Sequence, residues 1–120
     1  MALRLLTSRL VIRDVAASDA EAIAELWADP EVTRFLGGPR DRAKVIESVL
    51  EAAADPPRLD SWTVERDGLV VGNCGLLDKE IEGREEIELV YVMALAEQGQ
   101  GLATEAATAV REHAEQALGY

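Results

Sequence analysis

The amino-acid sequence predicts an α/β protein of the α+β kind, with a mixed, mostly antiparallel sheet flanked by helices. Two observations support this prediction. Apolar residues recur at helical spacing in the first half of the chain, after one short apolar run near its start. The second half opens with strand-like segments and closes with a long amphipathic helix. The predicted order is strand, helix, helix, strand, strand, strand, helix.

The first half contains the first strand and two helices. The strand is expected at 10–12, a short apolar run between two arginines. Ser18 and Glu21 form a predicted capping box for the first helix, which stops at Asp29-Pro30. The second helix is expected to start with Pro39 in its first turn. Its apolar stripe consists of Ile46, Val49, Leu50 and Ala53.

The second half begins with a hairpin. Strand-like residues at 62–65 and 69–77 flank an Asp67-Gly68 pair, which is typical of a tight hairpin turn. The nearly continuous apolar run 87–93 predicts a strand that is covered on both faces. A helix over 102–118 follows.

Three kinds of residue that often attract attention have structural interpretations here. Cys74 is expected to be a small buried side chain in the hairpin. His113 falls on the apolar stripe of the last helix, which favours a packed core position. Gly72 and Gly75 lie inside a predicted strand and indicate a bulge or a close backbone approach.

Composition limits the possible functions. The 120 residues indicate one domain, and the formal net charge of -11 argues against nucleic-acid binding, which depends on Lys and Arg. No apolar run is long enough to cross a membrane, and the start of the chain lacks signal-peptide features. A lone cysteine fits a reducing cytoplasm, where we expect the protein. No cluster of residues has metal-ligand spacing, so no metal is predicted.

A glycine-containing segment between the covered strand and the last helix is the candidate binding site. Consecutive amides in such a turn converge on one point, and the helix N-terminus adds partial positive charge, so the segment suits a phosphate or pyrophosphate. The Walker pattern and the dinucleotide-binding fingerprint are both absent. The segment consists of Gln98, Gly99, Gln100, Gly101, Leu102 and Ala103.

This loop resembles the acyl-CoA motif of the GNAT acetyltransferases, Gln/Arg-x-x-Gly-x-Gly/Ala, which is met by Gln98, Gly101 and Ala103. Three further stretches resemble the branch of that family that includes the ribosomal-protein N-terminal alanine acetyltransferases. They are the opening strand at 7–13, the first interhelical turn at 27–36 and the helix opening at 101–106.

The resemblance implies acetyl-CoA as co-substrate and an amine acceptor that attacks the thioester directly. The amides of the loop and the start of the helix, residues 98–104 including Thr104, would hold the pyrophosphate. The strand edge at Val92, Met93 and Ala94 would bind the pantetheine arm. Glu88, within Glu88-Leu89-Val90-Tyr91, is the candidate proton acceptor, and a solvent-facing position shared with Glu86 is the alternative interpretation.

The resemblance also places Arg34 and Phe35 where the family's interhelical turn lines the acceptor site. A structural role for these two residues is an equally good interpretation. The acceptor itself is left open among a protein N-terminus, an antibiotic amine and a small metabolite.

Members of the family continue after the long helix with a strand, a helix and a closing strand pair. We therefore expect residues 1–120 to form a single incomplete GNAT domain that is truncated at its C-terminus. An unpaired strand edge would favour a homo-oligomer. Three functions remain open: an acetyltransferase, a non-catalytic acyl-CoA-binding or interaction module, and an inactive fragment.

Overall fold

The computed structural model describes residues 4–54, 61–94 and 98–117. Five strands form one sheet in the order β1-β2-β3-β4-β5, and every pairing between them is antiparallel. The strands are β1 (Arg4–Leu6), β2 (Val11–Asp14), β3 (Ser61–Arg66), β4 (Leu69–Ile81) and β5 (Arg84–Met93). The helices are α1 (Ala20–Ala28), α2 (Arg42–Ala52) and α3 (Leu102–Ala117). The predicted fold class is confirmed. A mixed sheet was predicted, and the described strands pair only in the antiparallel direction.

The sheet separates two apolar cores. One core lies between the sheet and α3, and the other contains residues of α1 and α2. The members of the first core include Leu10, Ile12, Trp62, Val64, Met93, Leu102, Ala106 and Val110. Those of the second include Val15, Ile23, Val49 and Ala52. Helices therefore cover both faces of the sheet, and α3 is held in place at the end of β5.

Two tight turns build the long hairpins of the second half. Asp67 and Gly68 have φ values of +53° and +80°, and Glu82 and Gly83 have values of +52° and +80°. Positive φ at both central residues gives the turn twist that matches antiparallel strands. The predicted Asp-Gly turn is thus confirmed, and the second turn lets the last hairpin extend further than its apolar pattern suggested.

The opening of the chain contains two strands where one was predicted. β1 and β2 pair with each other, and residues 7–10 form the turn between them. The Thr7 amide donates to the Leu10 carbonyl at 2.9 Å, while the Leu10 amide donates to the Thr7 hydroxyl at 3.0 Å. These bonds close a tight turn with Arg9 on its exposed side.

The predicted capping box at the start of α1 is wrong. The helix begins at Ala20, and Ser18 is an exposed residue of the short 3-10 turn before it. Its neighbour Asp19 takes the hydrogen bonds instead. The Asp19 carboxylate accepts from the Ala16 amide at 2.8 Å and from Arg13 at 2.8 and 2.9 Å. The turn before α1 is therefore stabilised by hydrogen bonds between Asp19 and Arg13 of β2, and not by a Ser18 cap.

The start of α2 also differs from the prediction. The helix begins at Arg42, and the Asp41 side chain caps it by accepting from the Lys44 amide at 3.1 Å. Pro39 therefore lies before the helix. On the predicted apolar stripe, Leu50 is 47 % exposed, whereas Val49 is buried in the core that α2 shares with α1.

The structural interpretations of Cys74 and Gly72 are confirmed, whereas His113 contacts the core residue Trp62 but is only half-buried. Cys74 is fully buried, and burial raises the pKa of its thiol to about 12. The His113 ring stands edge-on to Trp62, with the ring centroids 6.2 Å apart. A Cβ on Gly72 would lie 2.7 Å from the Val92 carbonyl oxygen, so this glycine permits a close approach of β4 and β5.

Candidate functional site

The predicted binding loop leads directly into α3. Gly99 and Gly101 have φ values of +81° and +76°, a backbone conformation that glycine adopts without steric cost. The Glu105 amide donates to the Gly101 carbonyl at 3.0 Å, so the helical hydrogen bonds begin at Gly101. The first amides of a helix have no acceptor within it. Here they belong to Leu102, Ala103 and Thr104.

The side chain of Gln98 ties this loop to the end of β5. Its amide nitrogen Nε2 donates to the Met93 carbonyl at 3.0 Å. The backbone amide of Ala94 donates to the Val71 carbonyl at 2.8 Å. Because alternate residues of a strand turn their backbone groups to opposite sides, Val92 and Ala94 face β4 and the Met93 amide faces the outer edge. The loop and the outer edge of β5 are therefore adjacent.

A salt bridge joins the β1–β2 turn to the start of α3. The Arg9 guanidinium bonds Glu105 at 2.8 and 2.9 Å, and Thr7 donates to the same carboxylate. The hydrogen bonds from Thr7 and Arg9 together outweigh partial burial and hold the pKa of the Glu105 carboxyl below its usual range. Sequence reasoning matched both segments to the family but gave neither charged residue a role.

The interhelical segment 29–38 forms a compact series of turns. The Asp29 carbonyl accepts from the Thr33 amide at 3.1 Å and from the Thr33 hydroxyl at 2.8 Å. Phe35 is 85 % exposed, and the Arg34 guanidinium lies 4.6 Å from the centre of its ring. Arg34 and Phe35, which are predicted to line the amine-acceptor site, are therefore exposed on an ordered turn.

Arg40 fixes the far end of this segment, a role that the sequence did not indicate. Its backbone amide donates to the Trp27 carbonyl at 2.7 Å. Its guanidinium donates to the Leu36 and Gly38 carbonyls at 2.8 and 2.7 Å and lies 5.4 Å from the centre of the Trp27 ring. One arginine thus holds the turn by hydrogen bonds and by a cation–π contact.

The backbone of Glu88 lies in β5 opposite Leu77. Its side chain is outside the described residues, so its role as proton acceptor stays a prediction. Among the described strands β1 and β5 are the two edge strands, and self-association through the edge of β5 also stays a prediction.

Residues 4–54, 61–94 and 98–117 offer neither a candidate metal site among their described side chains nor a helix suited to a membrane. Among the side chains that the structure describes, no group of His, Cys, Asp and Glu could hold a metal ion. Within the same ranges no helix has both the length and the apolar character needed to cross a membrane.

The family model for the Acetyltransferase (GNAT) domain matches residues 9–120. The chain belongs to the GNAT acetyltransferase family. It is 34% identical over 113 residues to the Uncharacterized N-acetyltransferase p20 of Bacillus licheniformis, a match that covers 85% of this chain and 60% of that protein. It is 29% identical over 115 residues to the Uncharacterized protein YkkB of Bacillus subtilis, covering 92% of this chain and 67% of the relative. This GNAT chain therefore spans about three fifths of the length of the first of these relatives.

Solved structures agree with this GNAT fold. A GNAT-family acetyltransferase from Bacillus anthracis superposes with a TM-score of 0.75 at 20% identity, over 97% of this chain and 68% of that one. The RimL ribosomal L7/L12 α-N-protein acetyltransferase superposes with a TM-score of 0.67 at 16% identity, over 97% and 66%. At these identities the likeness shows the fold alone. The branch predicted from the sequence therefore stays a prediction.

Proposed function

We propose that this GNAT domain transfers an acetyl group from acetyl-CoA to a primary amine, either a protein N-terminus or the amine of a small molecule. The observation that carries the proposal is the loop at 98–101, in which Gly99 and Gly101 adopt positive φ just before α3. Family membership supports acetyl transfer as the chemistry. The name of the Bacillus licheniformis relative, an N-acetyltransferase, agrees with it.

The proposed pyrophosphate site consists of backbone amides from 98 to 104. The chain has a net charge of -11, so its overall field does not favour an anionic ligand. Local dipoles must therefore provide the attraction. The start of α3 offers amides with no acceptor inside the helix, together with the positive end of the helix dipole.

The pantetheine arm is proposed to lie along the outer edge of β5. The Met93 amide faces that edge, while Gln98 already occupies the Met93 carbonyl at 3.0 Å. A bound arm would accept a hydrogen bond from this amide, much as a neighbouring strand would. That placement leads from the pyrophosphate loop back along the strand toward Glu88.

The chemical step is a direct attack. The amine nitrogen forms a bond to the thioester carbonyl carbon, and the resulting tetrahedral oxyanion collapses with loss of CoA thiolate. The attacking nitrogen gives up one proton, for which we propose Glu88 as the acceptor, directly or through a water. The protein must hold both reactants in line and stabilise the oxyanion.

The acceptor is proposed to approach past the interhelical segment, where Arg34 and Phe35 are exposed. An acidic chain suits an acceptor that carries positive charge before it loses its proton.

We also propose a cytoplasmic location. The chain has a single cysteine, which is buried, so it cannot form an intrachain disulfide.

An acetyl-transfer assay tests the proposal. Acetyl-CoA is incubated with the protein and a panel of amines, comprising peptides with free N-termini and small polyamines, and released CoA is measured with a thiol reagent. Cys74 contributes little background because its thiol is buried with a raised pKa. We expect amine-dependent release by the wild type and loss of release in Gly101→Glu.

The matched control is Gly83→Glu, which introduces the same charge at the same positive φ, in the turn at the opposite end of β5. Binding of acetyl-CoA without release for any amine would contradict transfer and favour a non-catalytic acyl-CoA-binding module.

A further inference from the structure

The structure brings together two segments that lie at opposite ends of the chain. Arg9 is in the turn between β1 and β2, and Glu105 is in the first turn of α3. The backbone amide of Arg9 donates to Glu105 Oε2 at 3.0 Å, and its Nε and Nη2 atoms bond Glu105 Oε1 at 2.9 and 2.8 Å. Thr7 donates to the same carboxylate. Four donor groups therefore converge on one side chain beside the proposed pyrophosphate loop.

The remaining guanidinium nitrogen of Arg9 reaches the loop itself. Its Nη1 atom donates to the Gln100 carbonyl at 2.9 Å. In a trans peptide the carbonyl and the following N–H point in opposite directions. Holding the Gln100 carbonyl on the Arg9 side therefore turns the Gly101 N–H to the opposite side.

A second arginine restrains the same loop residue. The Arg66 Nη1 atom donates to the Gln100 side-chain oxygen at 3.1 Å. The carbonyl of Gln100 is thus held by the β1–β2 turn and its side chain by the end of β3. This arrangement limits the ways in which the Gln100–Gly101 peptide can rotate.

Charge gives Arg9 a further effect. Glu105 places a carboxylate in the helical turn that is proposed to receive an anion, where an unpaired negative charge would repel it. Arg9 lies against that carboxylate and offsets its charge. The Gly101 Cα is also close to the guanidinium, since a Cβ built on it would lie 3.7 Å from Nη2.

We propose that Arg9 is a positioning residue for acyl-CoA binding, which orients the Gln100–Gly101 peptide and neutralises Glu105 beside the phosphates. This inference rests on the proposed function. It assigns Arg9 no contact with the reacting atoms, because each of its three guanidinium nitrogens already contacts Glu105 or Gln100.

The test measures the dissociation constant of acetyl-CoA by calorimetry for Arg9→Gln and for a matched control, Arg42→Gln. Arg42 also pairs with a glutamate, Glu25 at 2.9 Å, but on the exposed surface of α1 and α2. We expect about a tenfold loss of affinity or more in Arg9→Gln, since it removes charge-assisted hydrogen bonds at the loop, and no change in Arg42→Gln.

The double variant Arg9→Gln/Glu105→Gln separates this proposal from a purely structural link between the two segments. Removing both charges eliminates the unpaired carboxylate, so part of the lost affinity should return, whereas a structural link would be at least as disturbed as in the single variant. Wild-type affinity in a folded Arg9→Gln protein, or no recovery in the double variant, would overturn the proposal.

Two further results complete the test. If Arg9→Gln does not fold, Arg9→Lys takes its place, because it keeps the charge but lacks the planar fork that bonds two acceptors. An intermediate loss of affinity is then expected, and wild-type affinity would overturn the inference. Absence of binding by the folded wild type would overturn the proposed function and the inference together. Binding by the wild type with no effect of Arg9 would overturn the inference alone.

Discussion

The indole nitrogen of Trp27 donates to the side-chain oxygen of Asn73 at 3.0 Å, and this bond joins α1 to β4. Asn73 is 8 % exposed, and its amide nitrogen donates to the Trp62 carbonyl at 2.9 Å. On its other side Trp27 carries the Arg40 guanidinium. A continuous set of contacts therefore connects the interhelical segment to β4, next to the strand that is proposed to bind pantetheine.

Replacing Asn73 by Ala should destabilise the protein by about 1–3 kcal/mol, because it leaves the Trp27 donor and the Trp62 carbonyl without this partner. Urea denaturation measures the change. The control is Ser61→Ala, which loses only the longer 3.3 Å bond to the Asn73 amide and should cost less than about 1 kcal/mol. Equal losses in the two variants would contradict a central role for Asn73.

The buried carboxylate of Asp19 provides a prediction about stability. Its bonds to Arg13 and to the Thr63 hydroxyl, the latter at 2.8 Å, join the start of α1 to β2 and β3. Arg13 keeps its bond to Glu65 at 2.8 Å, but Asp19→Ala leaves the Thr63 hydroxyl and the Ala16 amide without this acceptor, so it should cost about 1–3 kcal/mol. Breaking the exposed Glu25–Arg42 pair by Glu25→Ala should cost at most about 1 kcal/mol. Thermal denaturation of both variants at neutral pH compares them.

The same group predicts how stability depends on pH. Burial raises the pKa of Asp19, but the hydrogen bonds from Arg13, Ala16 and Thr63 outweigh it and hold the pKa below its usual value of 3.8. The stabilisation is therefore fully present above the unfolded-state pKa and is lost as the pH falls through the folded-state pKa. The stability difference between wild type and Asp19→Asn should shrink below about pH 4. A difference that stays constant in acid would contradict this assignment.

The exposed position of Phe35 predicts that replacing it changes substrate binding without changing stability. At 85 % exposure its side chain contributes little to the core, so Phe35→Ala should leave the melting temperature unchanged. If the segment lines the acceptor site, the variant should raise the KM for the amine and leave the KM for acetyl-CoA unchanged. The control is Leu69→Ala, since Leu69 is also an exposed apolar residue but lies in β4. This variant should change neither KM. An unaltered amine KM in Phe35→Ala would remove this residue from the acceptor site.

Glu88 predicts a loss confined to the chemical step. A general base contributes about 10²-fold or more to rate, so Glu88→Gln should lower kcat by at least that factor at neutral pH. Acetyl-CoA binding should be unchanged, because the pyrophosphate loop is elsewhere. Glu86→Gln, two residues earlier on β5, is the control for loss of a nearby charge. Similar kcat values for the two variants would exclude Glu88 as the base.

Features set by neighbouring residues could be predicted from the sequence. The Asp67-Gly68 turn depends on two residues that tolerate positive φ, and it was predicted where it occurs. The glycine loop before α3 is local in the same way. The family resemblance indicated acetyl-CoA as the ligand of this loop, whereas the residues alone indicated only a phosphate or pyrophosphate.

Features set by distant residues could not be predicted. Ser18 has the sequence context of a helix cap. In the structure the neighbouring Asp19 carboxylate accepts hydrogen bonds from Arg13 and Thr63, which belong to strands β2 and β3. Arg9 and Glu105 are 96 residues apart, and no local pattern reveals that their side chains meet. Contacts of this kind follow from the order of the strands, which the hydrophobic pattern alone does not give.

Calorimetric titration with acetyl-CoA tests the central claim most directly, using the wild type, Gly101→Glu and the control Gly83→Glu. Saturable binding is expected for the wild type and for the control. Gly101→Glu should lose about tenfold or more in affinity, because its carboxylate would lie beside Arg9 and compete with the bond that orients the Gln100 carbonyl. Thermal melts confirm that each protein is folded. A folded wild type that shows no binding at millimolar acetyl-CoA, or a Gly101→Glu variant that binds as tightly as the wild type, would contradict the assignment of the loop.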